Sequence, residues 1–154
     1  MAKVYLGIGT NLGDREANIR LALEELRFAK INVLKMSKVI ATKPYGVHDQ
    51  PDFLNAVCFV ETEHEPDVLL KLLKKIEKNI GRTPTRRWGP RLIDLDIILY
   101  EDRVIEQKDL VIPHTDMLNR LFVLRPLAEL APDLLHPVSK KTIKEHLSEL
   151  EKGI

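Results

Sequence analysis

The chain has 154 residues, of which 44% are hydrophobic and 31% are charged, and its formal net charge is +1. This length and composition are typical of a globular protein with a substantial core, and we expect a single domain over residues 1–154. A near-neutral charge argues against a general nucleic-acid coat and against a protein held electrostatically on a membrane. Any basic function must therefore be local, and we expect neither nucleic acid nor membrane as a partner.

Targeting signals and disulfides are also not expected. No apolar run approaches the length of a membrane span, and residues 1–15 turn polar too soon for a signal peptide, so a cytoplasmic protein is expected. Cys58 is the only cysteine, which excludes an intrachain disulfide. Its apolar neighbours favour a buried thiol over a nucleophile.

The first half of the chain predicts a strand, a helix and two further strands. Val4–Ile8 is predicted as the first strand, and Asp14 as the N-cap of a helix that continues to about Phe28. Val33–Thr42 is predicted as the second strand and Phe53–Thr62 as the third. The loop between these two strands is long, which is typical of a functional segment.

The second half predicts a helix, a strand and a further helix. Pro66 is expected to open a helix that Gly81 ends, because proline costs little at the first helical position. After the next strand, a short hairpin is predicted near residues 101–105 and a helix over Leu121–Ala131. The expected buried stripe of the helix that begins at Pro66 comprises Val68, Leu69, Leu72, Leu73, Ile76 and Ile80.

The order β-α-β-β-α-β predicts an α+β fold of the ferredoxin-like type, with an antiparallel sheet, two helices on one face and a C-terminal helical extension. Lys140–Lys152 has the pattern of an amphipathic helix, either laid on the body or forming a dimer face, and the sequence leaves both possibilities open. Because no long exposed apolar edge stands out, a monomer is expected.

Two carboxylates interrupt the apolar pattern of the strand in the second half. Side chains alternate along a strand, so Asp94 and Asp96 are expected on one face, roughly 7 Å apart, and their apolar neighbours on the other. Paired hard oxygen ligands on a rigid strand favour Mg²⁺, which binds through one or two carboxylates together with substrate phosphates. The apolar neighbours expected on the opposite face are Ile93, Leu95, Ile97 and Leu99.

Arginines precede this strand, and the guanidinium group matches phosphate oxygens in geometry and charge. The simpler interpretation is a solvated sheet face whose aspartates pair with the arginines. The rigid turn Trp88-Gly89-Pro90 favours a shaped pocket wall instead, so the combination predicts a site for a metal and a polyphosphate. The arginines are Arg82, Arg86, Arg87 and Arg91.

Four segments, in order and at compatible spacing, carry a family resemblance. They are GIGTNLGDR (Gly7–Arg15), DQPDFLNAV (Asp49–Val57), RWGPRLIDLDIILY (Arg87–Tyr100) and PHTDMLNRLFVLRPL (Pro113–Leu127). Together they closely resemble 6-hydroxymethyl-7,8-dihydropterin pyrophosphokinase of folate biosynthesis. The resemblance implies transfer of pyrophosphate from ATP to the hydroxymethyl group of the reduced pterin, with release of AMP.

The resemblance also implies roles for individual residues. Two Mg²⁺ ions would be held by Asp94 and Asp96, with Arg82 and Arg91 beside them in catalysis. The pterin would be bound by Thr42, Tyr45, Phe53, Asn55 and Phe122, of which the two phenylalanines stack on the ring and Asn55 reads its edge. ATP would be bound by Glu77, Arg82, Arg87, Trp88, Arg91, Ile97, His114 and Arg120.

The chain departs from the family pattern two residues after Arg82. Many relatives have a second arginine there, whereas this chain has Pro84 in a loop that is one residue shorter. Either Arg86 or Arg87 replaces the missing charge, or the chain uses one cation fewer.

Two other classes of function remain as alternatives. One is a non-catalytic ferredoxin-like module that binds RNA or a nucleotide, and the other is a kinase that releases ADP. Only 5% of the residues are aromatic, and paired aspartates repel phosphate unless a metal intervenes, so RNA binding is disfavoured. Fold and spacing alone do not separate attack at the β-phosphorus from attack at the γ-phosphorus.

Overall fold

The computed structural model describes residues 1–43, 51–81 and 92–153. None of the helices in these ranges is long and apolar enough to cross a membrane. In chain order the elements are β1 (Ala2–Thr10), α1 (Arg15–Phe28), β2 (Ile31–Met36), β3 (Ile40–Thr42), β4 (Phe53–Thr62), α2 (Pro66–Ile80), β5 (Asp94–Tyr100), β6 (Ile105–Glu106), β7 (Val111–Ile112), a 3-10 turn (Met117–Asn119), α3 (Leu121–Leu130) and α4 (Ile143–Lys152).

The main sheet is antiparallel, with the order β2-β4-β1-β5, and β3 extends it by pairing with β4. Both the β-α-β-β-α-β order and the antiparallel sheet confirm the ferredoxin-like fold predicted from the sequence. The central strand β1 is flanked by β4 on one side and β5 on the other. In this register Gly9 lies opposite Asn55 of β4 and opposite Asp94 of β5.

Helices α1 and α2 cover one face of the sheet. Asp14 caps α1 as predicted, because its side chain accepts a hydrogen bond from the Ala17 amide at 3.1 Å. Pro66 is the first residue of α2, which ends before Gly81, also as predicted. The expected stripe on α2 is wrong at Val68, whose side chain is 42% exposed. The core under the two helices includes Leu6, Leu26, Leu69, Leu73, Ile93, Leu95 and Ile97.

The C-terminal helices pack on the opposite face, so the extension adds a second helical layer. Thr142 begins α4 with a capping box, in which its hydroxyl accepts from the Glu145 amide at 3.1 Å. Ile143 is fully buried and Leu150 packs beside it, which supports the interpretation that this helix lies on the body. The cluster on this face includes Val57, Ile98, Leu99, Met117, Leu124 and Leu127.

A β-bulge changes the predicted alternation of β5. The β1 to β5 register shifts between Leu6, paired with Ile97, and Tyr5, paired with Leu99, so Ile98 is an extra residue. Ile97 therefore lies in the core under α1 and α2, whereas Leu99 joins the cluster under the C-terminal helices. The prediction that Leu99 shares a face with Ile97 is wrong, because the extra residue reverses the facing of the side chains after it.

The predicted strand Val33–Thr42 is divided into β2 and β3. Ser37 lies between them, where its amide donates to the Val57 carbonyl at 2.9 Å and its hydroxyl accepts from the Val57 amide at 2.9 Å. A side chain thus replaces a carbonyl in the ladder, and the strand is interrupted. The hairpin predicted near residues 101–105 is also shifted, because the observed pairing joins β6 to β7.

Candidate active site

A cleft of about 950 Å³ opens on the sheet face that carries the C-terminal helices. Its floor is formed by β1, β4 and β5, and its wall by residues between His114 and Val123. The bulged β5, together with Val57, fills the end of this face with apolar side chains. The other end of the face is left open as the cleft.

Two glycines make the floor of the cleft. Gly7 and Gly9 alternate on β1, so both face the cleft, and neither presents a side chain to it. A Cβ added at Gly9 would lie 3.2 Å from Asn55 Oδ1, and one added at Gly7 would lie 3.2 Å from Ile98 Cδ1. A side chain at Gly9 would therefore force Asn55 to shift, and a hydrogen bond holds Asn55 in place.

Asn55 is held by a hydrogen bond from its Nδ2 to Thr42 Oγ1 at 2.9 Å. Only 7% of Asn55 is exposed, so its amide lies at the base of the cleft. Phe53 lies on the same face of β4, and Phe122 comes from the first turn of α3. Four of the predicted pterin residues thus line one cleft, and they bring two aromatic rings and an amide to it.

Asp94 and Asp96 line the same cleft from β5, as the alternation predicts. Asp94 is half-buried and lies opposite Gly9, whereas Asp96 is exposed and lies opposite Gly7. Because β1 separates them from β4, the amide of Asn55 and the carboxylate of Asp94 are roughly 10 Å apart across two strand spacings. The floor therefore presents an amide at one side and two carboxylates at the other.

His114 is fixed beside the carboxylates by its backbone. Its amide donates to the Ile98 carbonyl at 3.0 Å, on the edge of β5 that faces away from β1. Its Nδ1 accepts a hydrogen bond from the Asp116 amide at 3.2 Å, so the neutral ring carries its proton on Nε2. His114 is thus able to donate one hydrogen bond from Nε2 to an anionic group in the cleft.

Arg120 supplies a cation at the mouth of the cleft. Its guanidinium lies 3.3 Å from Asp116 Oδ2 and 5.5 Å from the centroid of the Phe122 ring. Arg120 and Asp116 are both substantially exposed, so the ion pair is screened by solvent and leaves the arginine able to contact another anion.

Two predicted ATP residues lie away from the cleft lining. Glu77, on α2, accepts a hydrogen bond from the Leu95 amide through Oε2 at 2.7 Å and so covers the outer edge of β5. The side chain of Ile97 is 5% exposed in the core under α1 and α2. Both roles stay predictions. Tyr45, Arg82, Arg86, Arg87, Trp88 and Arg91, as well as Pro84, lie outside the described residues.

Sequence reasoning did not single out the two floor glycines. Their signal was present, since Gly7 and Gly9 alternate within a strand that is otherwise apolar, and glycine in a strand often marks close approach of another group. Asp116 was also missed, because its contact with His114 and Arg120 depends on a short turn that follows β7.

Comparison with known proteins points to one family. The family model for 7,8-dihydro-6-hydroxymethylpterin-pyrophosphokinase matches residues 5–132. The chain is 43% identical over 145 residues to the 2-amino-4-hydroxy-6-hydroxymethyldihydropteridine pyrophosphokinase of Aquifex aeolicus, which covers 94% of this chain and 90% of that protein. The enzyme of the same name from Bacillus subtilis is 45% identical over 127 residues, covering 82% of this chain and 76% of that protein.

Other similar proteins are much longer than this chain. The folic acid synthesis protein fol1 of Schizosaccharomyces pombe is 46% identical over 95% of the chain, which spans only 20% of its length. An HPPK-DHPS crystal structure from Plasmodium falciparum has a TM-score of 0.79 over 96% of the chain and 45% of its own length, at 16% identity. A second HPPK-DHPS structure, determined with substrates, has a TM-score of 0.77 over 99% of this chain and 44% of that one, at 14% identity. At such low identity, these two structures support the fold alone.

Proposed function

The chain belongs to the 7,8-dihydro-6-hydroxymethylpterin-pyrophosphokinase family, and on that premise we propose that its cleft transfers pyrophosphate from ATP to the hydroxymethyl group of 6-hydroxymethyl-7,8-dihydropterin, releasing AMP in folate biosynthesis. The reaction is that of an ATP-dependent pyrophosphokinase. The observation that carries the proposal is the placement of the Asn55 amide and the Asp94 and Asp96 carboxylates on either side of a glycine floor in one cleft.

The Asn55 side of the cleft suits the pterin. A flat heteroaromatic ring requires stacking faces and a small number of fixed polar groups. Phe53 and Phe122 supply the aromatic faces, and Asn55, oriented by Thr42, supplies the fixed polar group. We assign these four residues, together with Tyr45, to the pterin.

The aspartate side suits the triphosphate with Mg²⁺. The donor set fits the metal, because Asp94 and Asp96 offer hard carboxylate oxygens on one face of a rigid strand. When bound, two Mg²⁺ ions would neutralise phosphate charge and lower the pKa of the substrate hydroxyl. In the part of the chain that the structure describes, no three histidine, cysteine or acidic side chains are arranged so that they could hold a metal ion, so substrate oxygens and water would complete the coordination.

Cationic and neutral donors near the carboxylates suit the remaining phosphate oxygens. His114 Nε2 is able to donate one hydrogen bond, and Arg120 brings a guanidinium from the wall. We assign both to ATP, together with Glu77, Arg82, Arg87, Trp88, Arg91 and Ile97, and we assign Arg82 and Arg91 to transition-state charge as well. For the loop charge that Pro84 replaces, the alternatives are the same as before: either Arg86 or Arg87 supplies it, or the enzyme uses one cation fewer.

The reaction itself asks mostly for positioning. The hydroxymethyl oxygen forms a bond to the β-phosphorus, the bond from that phosphorus to the α-β bridging oxygen breaks, and AMP leaves with the electron pair. The hydroxyl proton passes to solvent. Asn55 and the aromatic pair hold the nucleophile at one side, and His114 and Arg120 hold the phosphates at the other, so the two reactants meet above Gly7 and Gly9.

Other properties of the protein are also proposals. We propose one pyrophosphokinase domain over residues 1–154, a cytoplasmic monomer, and no nucleic-acid partner. The comparisons give no support to the alternative of a non-catalytic nucleotide- or RNA-binding module. The relatives that they found are named as pyrophosphokinases.

The direct test incubates the protein with ATP, Mg²⁺ and 6-hydroxymethyl-7,8-dihydropterin and resolves AMP from ADP. We expect AMP and the pterin pyrophosphate in equal amounts, and neither when the pterin is omitted. Formation of ADP, or no pterin-dependent product, would overturn the proposal. Asn55→Ala should raise the KM for the pterin and leave the KM for ATP unchanged, whereas the exposed Asn79→Ala on α2 serves as its matched control.

A further inference from the structure

Buried polar side chains gather beneath the cleft, where the end of β1 meets α1. Thr10, Asn11 and Asn18 are 1%, 4% and 7% exposed. Thr10 ends β1, Asn11 begins the turn that follows, and Asn18 lies in α1. Burying a polar group is costly unless it forms hydrogen bonds. The hydrogen bonds that these side chains form indicate why polar groups are buried at this end of the sheet.

Thr10 and Asn18 are joined to each other and to the residue that leads into β5. Asn18 Nδ2 donates to Thr10 Oγ1 at 3.2 Å and to the Leu12 carbonyl at 2.9 Å. The Thr10 hydroxyl in turn donates to the Leu92 carbonyl, and Asn18 Nδ2 lies 3.4 Å from the same oxygen. Side chains from β1 and α1 thus hold one backbone carbonyl 74 to 82 residues away in sequence. We call Thr10 and Asn18 the Leu92 anchor.

The turn between β1 and α1 also lies close to Leu92. Gly13 has φ +66°, a left-handed conformation that favours glycine and lets the turn fold back. A Cβ at Gly13 would lie 3.8 Å from Leu92 Cδ2, an ordinary van der Waals contact. The left-handed turn at Gly13 thus places the chain next to Leu92, whose carbonyl is held by Thr10.

Leu92 is two residues before Asp94, at the point where β5 begins. Ile93, between them, is 1% exposed in the core. Further along, the Leu95 amide is held by Glu77 of α2. Both helices of this layer thus contact the chain beside the carboxylates of β5, and a shift at Leu92 would be transmitted to Asp94 through one buried residue.

The Leu92 anchor lies on the sheet face opposite the cleft. Successive side chains of β1 alternate faces, so Thr10 points towards α1 while Gly9 lines the cleft. The anchor cannot contact substrate from there. Its effect on the site must pass through the backbone of residues 92–94.

We propose that Thr10 and Asn18 are positioning residues that fix the start of β5, and thereby set where Asp94 and Asp96 meet the phosphates. This inference rests on the proposed function, because it assigns a purpose to the position of those carboxylates. A displacement of about 1 Å among catalytic groups can lower the rate by about 100-fold. Loss of a buried hydrogen bond that positions β5 could therefore lower kcat substantially.

The test uses Thr10, because Asn18 also holds the Leu12 carbonyl and its removal puts folding at risk. Thr10→Val keeps the shape and removes the hydroxyl, whereas Thr10→Ser keeps the hydroxyl. The matched control is Thr62→Val, which removes another fully buried threonine hydroxyl, at the opposite end of the sheet where Thr62 pairs with Ala2. Melting temperatures are measured for all three variants, and kinetics are run below the lowest of them.

Two measurements separate positioning from simple stability. Amide hydrogen exchange is followed in the free protein for the peptide that covers residues 93–100, and kcat and both KM values are measured with Mg²⁺, ATP and the pterin. For Thr10→Val we expect several-fold faster exchange in this peptide, a fall in kcat of about tenfold and an unchanged KM for the pterin. Thr10→Ser should keep kcat and this peptide's exchange rate at their wild-type values. Thr62→Val should lower the melting temperature while leaving kcat and this peptide's exchange unchanged.

The proposal is overturned if Thr10→Val and Thr62→Val give the same kcat and the same exchange over residues 93–100. It is equally overturned if Thr10→Ser changes kcat or the exchange over residues 93–100 as Thr10→Val does. Failure of the proposed function would look different, because wild-type protein would then form no AMP. The exchange comparison on the free protein would still decide whether the Leu92 anchor holds β5.

Discussion

The same strands form two different faces of the sheet, one packed against helices α1 and α2 and the other carrying the cleft. Under α1 and α2, β1 contributes Val4, Leu6 and Ile8, all at most 2% exposed. On the other face the same strand contributes Gly7 and Gly9, which leave space rather than fill it. One face stabilises the fold by burying apolar area. The other lacks that apolar burial at its open end, where an amide and two carboxylates line the cleft.

This contrast predicts that stability and activity separate by face. Substitutions on the cleft face should change turnover with little change in the free energy of unfolding. Substitutions of apolar core residues on the covered face, outside the Leu92 anchor, should do the reverse. Functional sites that carry polar groups in place of core are expected to contribute less to stability than packed positions do.

The largest effect is expected at Asp96. Asp96→Asn keeps the size of the side chain and removes its charge, so we expect kcat to fall by about 1,000-fold, the scale on which preorganised electrostatic groups act. Because Asp96 is exposed, the melting temperature of the variant should stay close to that of the wild type. Asp94→Asn should behave similarly. Steady-state kinetics at ordinary Mg²⁺ concentrations provide the measurement.

The control for these variants is Asp102→Asn, in the exposed turn after β5. It removes the same charge a few residues further along and should leave kcat unchanged. Wild-type turnover in Asp96→Asn would remove the metal assignment, whatever the value for Asp102→Asn.

A substitution on α2 tests the opposite expectation, a loss of stability without a loss of activity. Leu73 is fully buried, so Leu73→Ala should lower the free energy of unfolding by about 2–5 kcal/mol, the cost of lost burial plus a residual cavity. Folded variant protein should keep a kcat near that of the wild type, because Leu73 faces away from the cleft. Denaturant unfolding and active-site-normalised kinetics measure the two quantities.

Val68→Ala provides the comparison on the same helix. Val68 is 42% exposed, so its truncation should change stability by no more than about 0.5 kcal/mol. Equal losses in Leu73→Ala and Val68→Ala would contradict the assignment of the buried stripe.

Much of the covered face was predictable because it follows regular periods. The spacing of Leu69, Leu73 and Ile76 predicts the buried side of α2, and the apolar run from Phe53 to Thr62 predicts β4 with the bounds observed. These patterns are local, and no long-range contact opposes them. The ferredoxin-like order follows once the elements are known.

The departures arise where a distant contact decides. The bulge at Ile98 depends on how β5 pairs with Tyr5 and Leu6, and the break at Ser37 depends on Val57, so neither is visible in a local pattern. The same applies to the site. The alternation of Asp94 and Asp96 was predictable, and the family resemblance indicated Asn55. That Gly7 and Gly9 form a floor between them follows only from the pairing of β1 with both β4 and β5.

A smaller effect tests the floor itself. Gly9→Ala would place a Cβ 3.2 Å from Asn55 Oδ1, and Asn55 can make room only by straining its hydrogen bond to Thr42. We therefore expect the KM for the pterin to rise by about tenfold, equivalent to the loss of roughly one hydrogen bond. Calorimetric titration with the pterin and a nonhydrolysable ATP analogue gives the same comparison without turnover.

Gly7→Ala is the matched control for this prediction. Its Cβ would also meet a neighbour at 3.2 Å, but that atom is Ile98 Cδ1, the end of a flexible side chain that can rotate aside. The pterin affinity should change much less than in Gly9→Ala. If both variants lose affinity equally, the floor acts by its width alone and the orientation of Asn55 is not what glycine protects.

The smallest effect is expected in the segment that brings α4 to the cleft face. His136 is 6% exposed, and its Nδ1 accepts hydrogen bonds from the amides of Val138 and Ser139, both at 3.2 Å. Burial lowers the pKa of His136 below its usual value, and the neighbouring His146 lowers it further. The folded protein therefore favours the neutral ring, whereas the unfolded chain takes up a proton near pH 6.5.

The sign of the pH dependence comes from that difference. The contribution of His136 to stability is complete above about pH 6.5 and is lost as the pH falls towards the lowered pKa of the folded state, because protonation then favours unfolding. His136→Asn retains a side-chain acceptor for the two amides and cannot titrate, so its melting temperature should fall less than that of the wild type between pH 7.5 and pH 5.5. His146→Asn should reduce the fall in part, because it removes only the second cause. Equal falls in wild type and His136→Asn would show that the acid sensitivity of this face comes from another group.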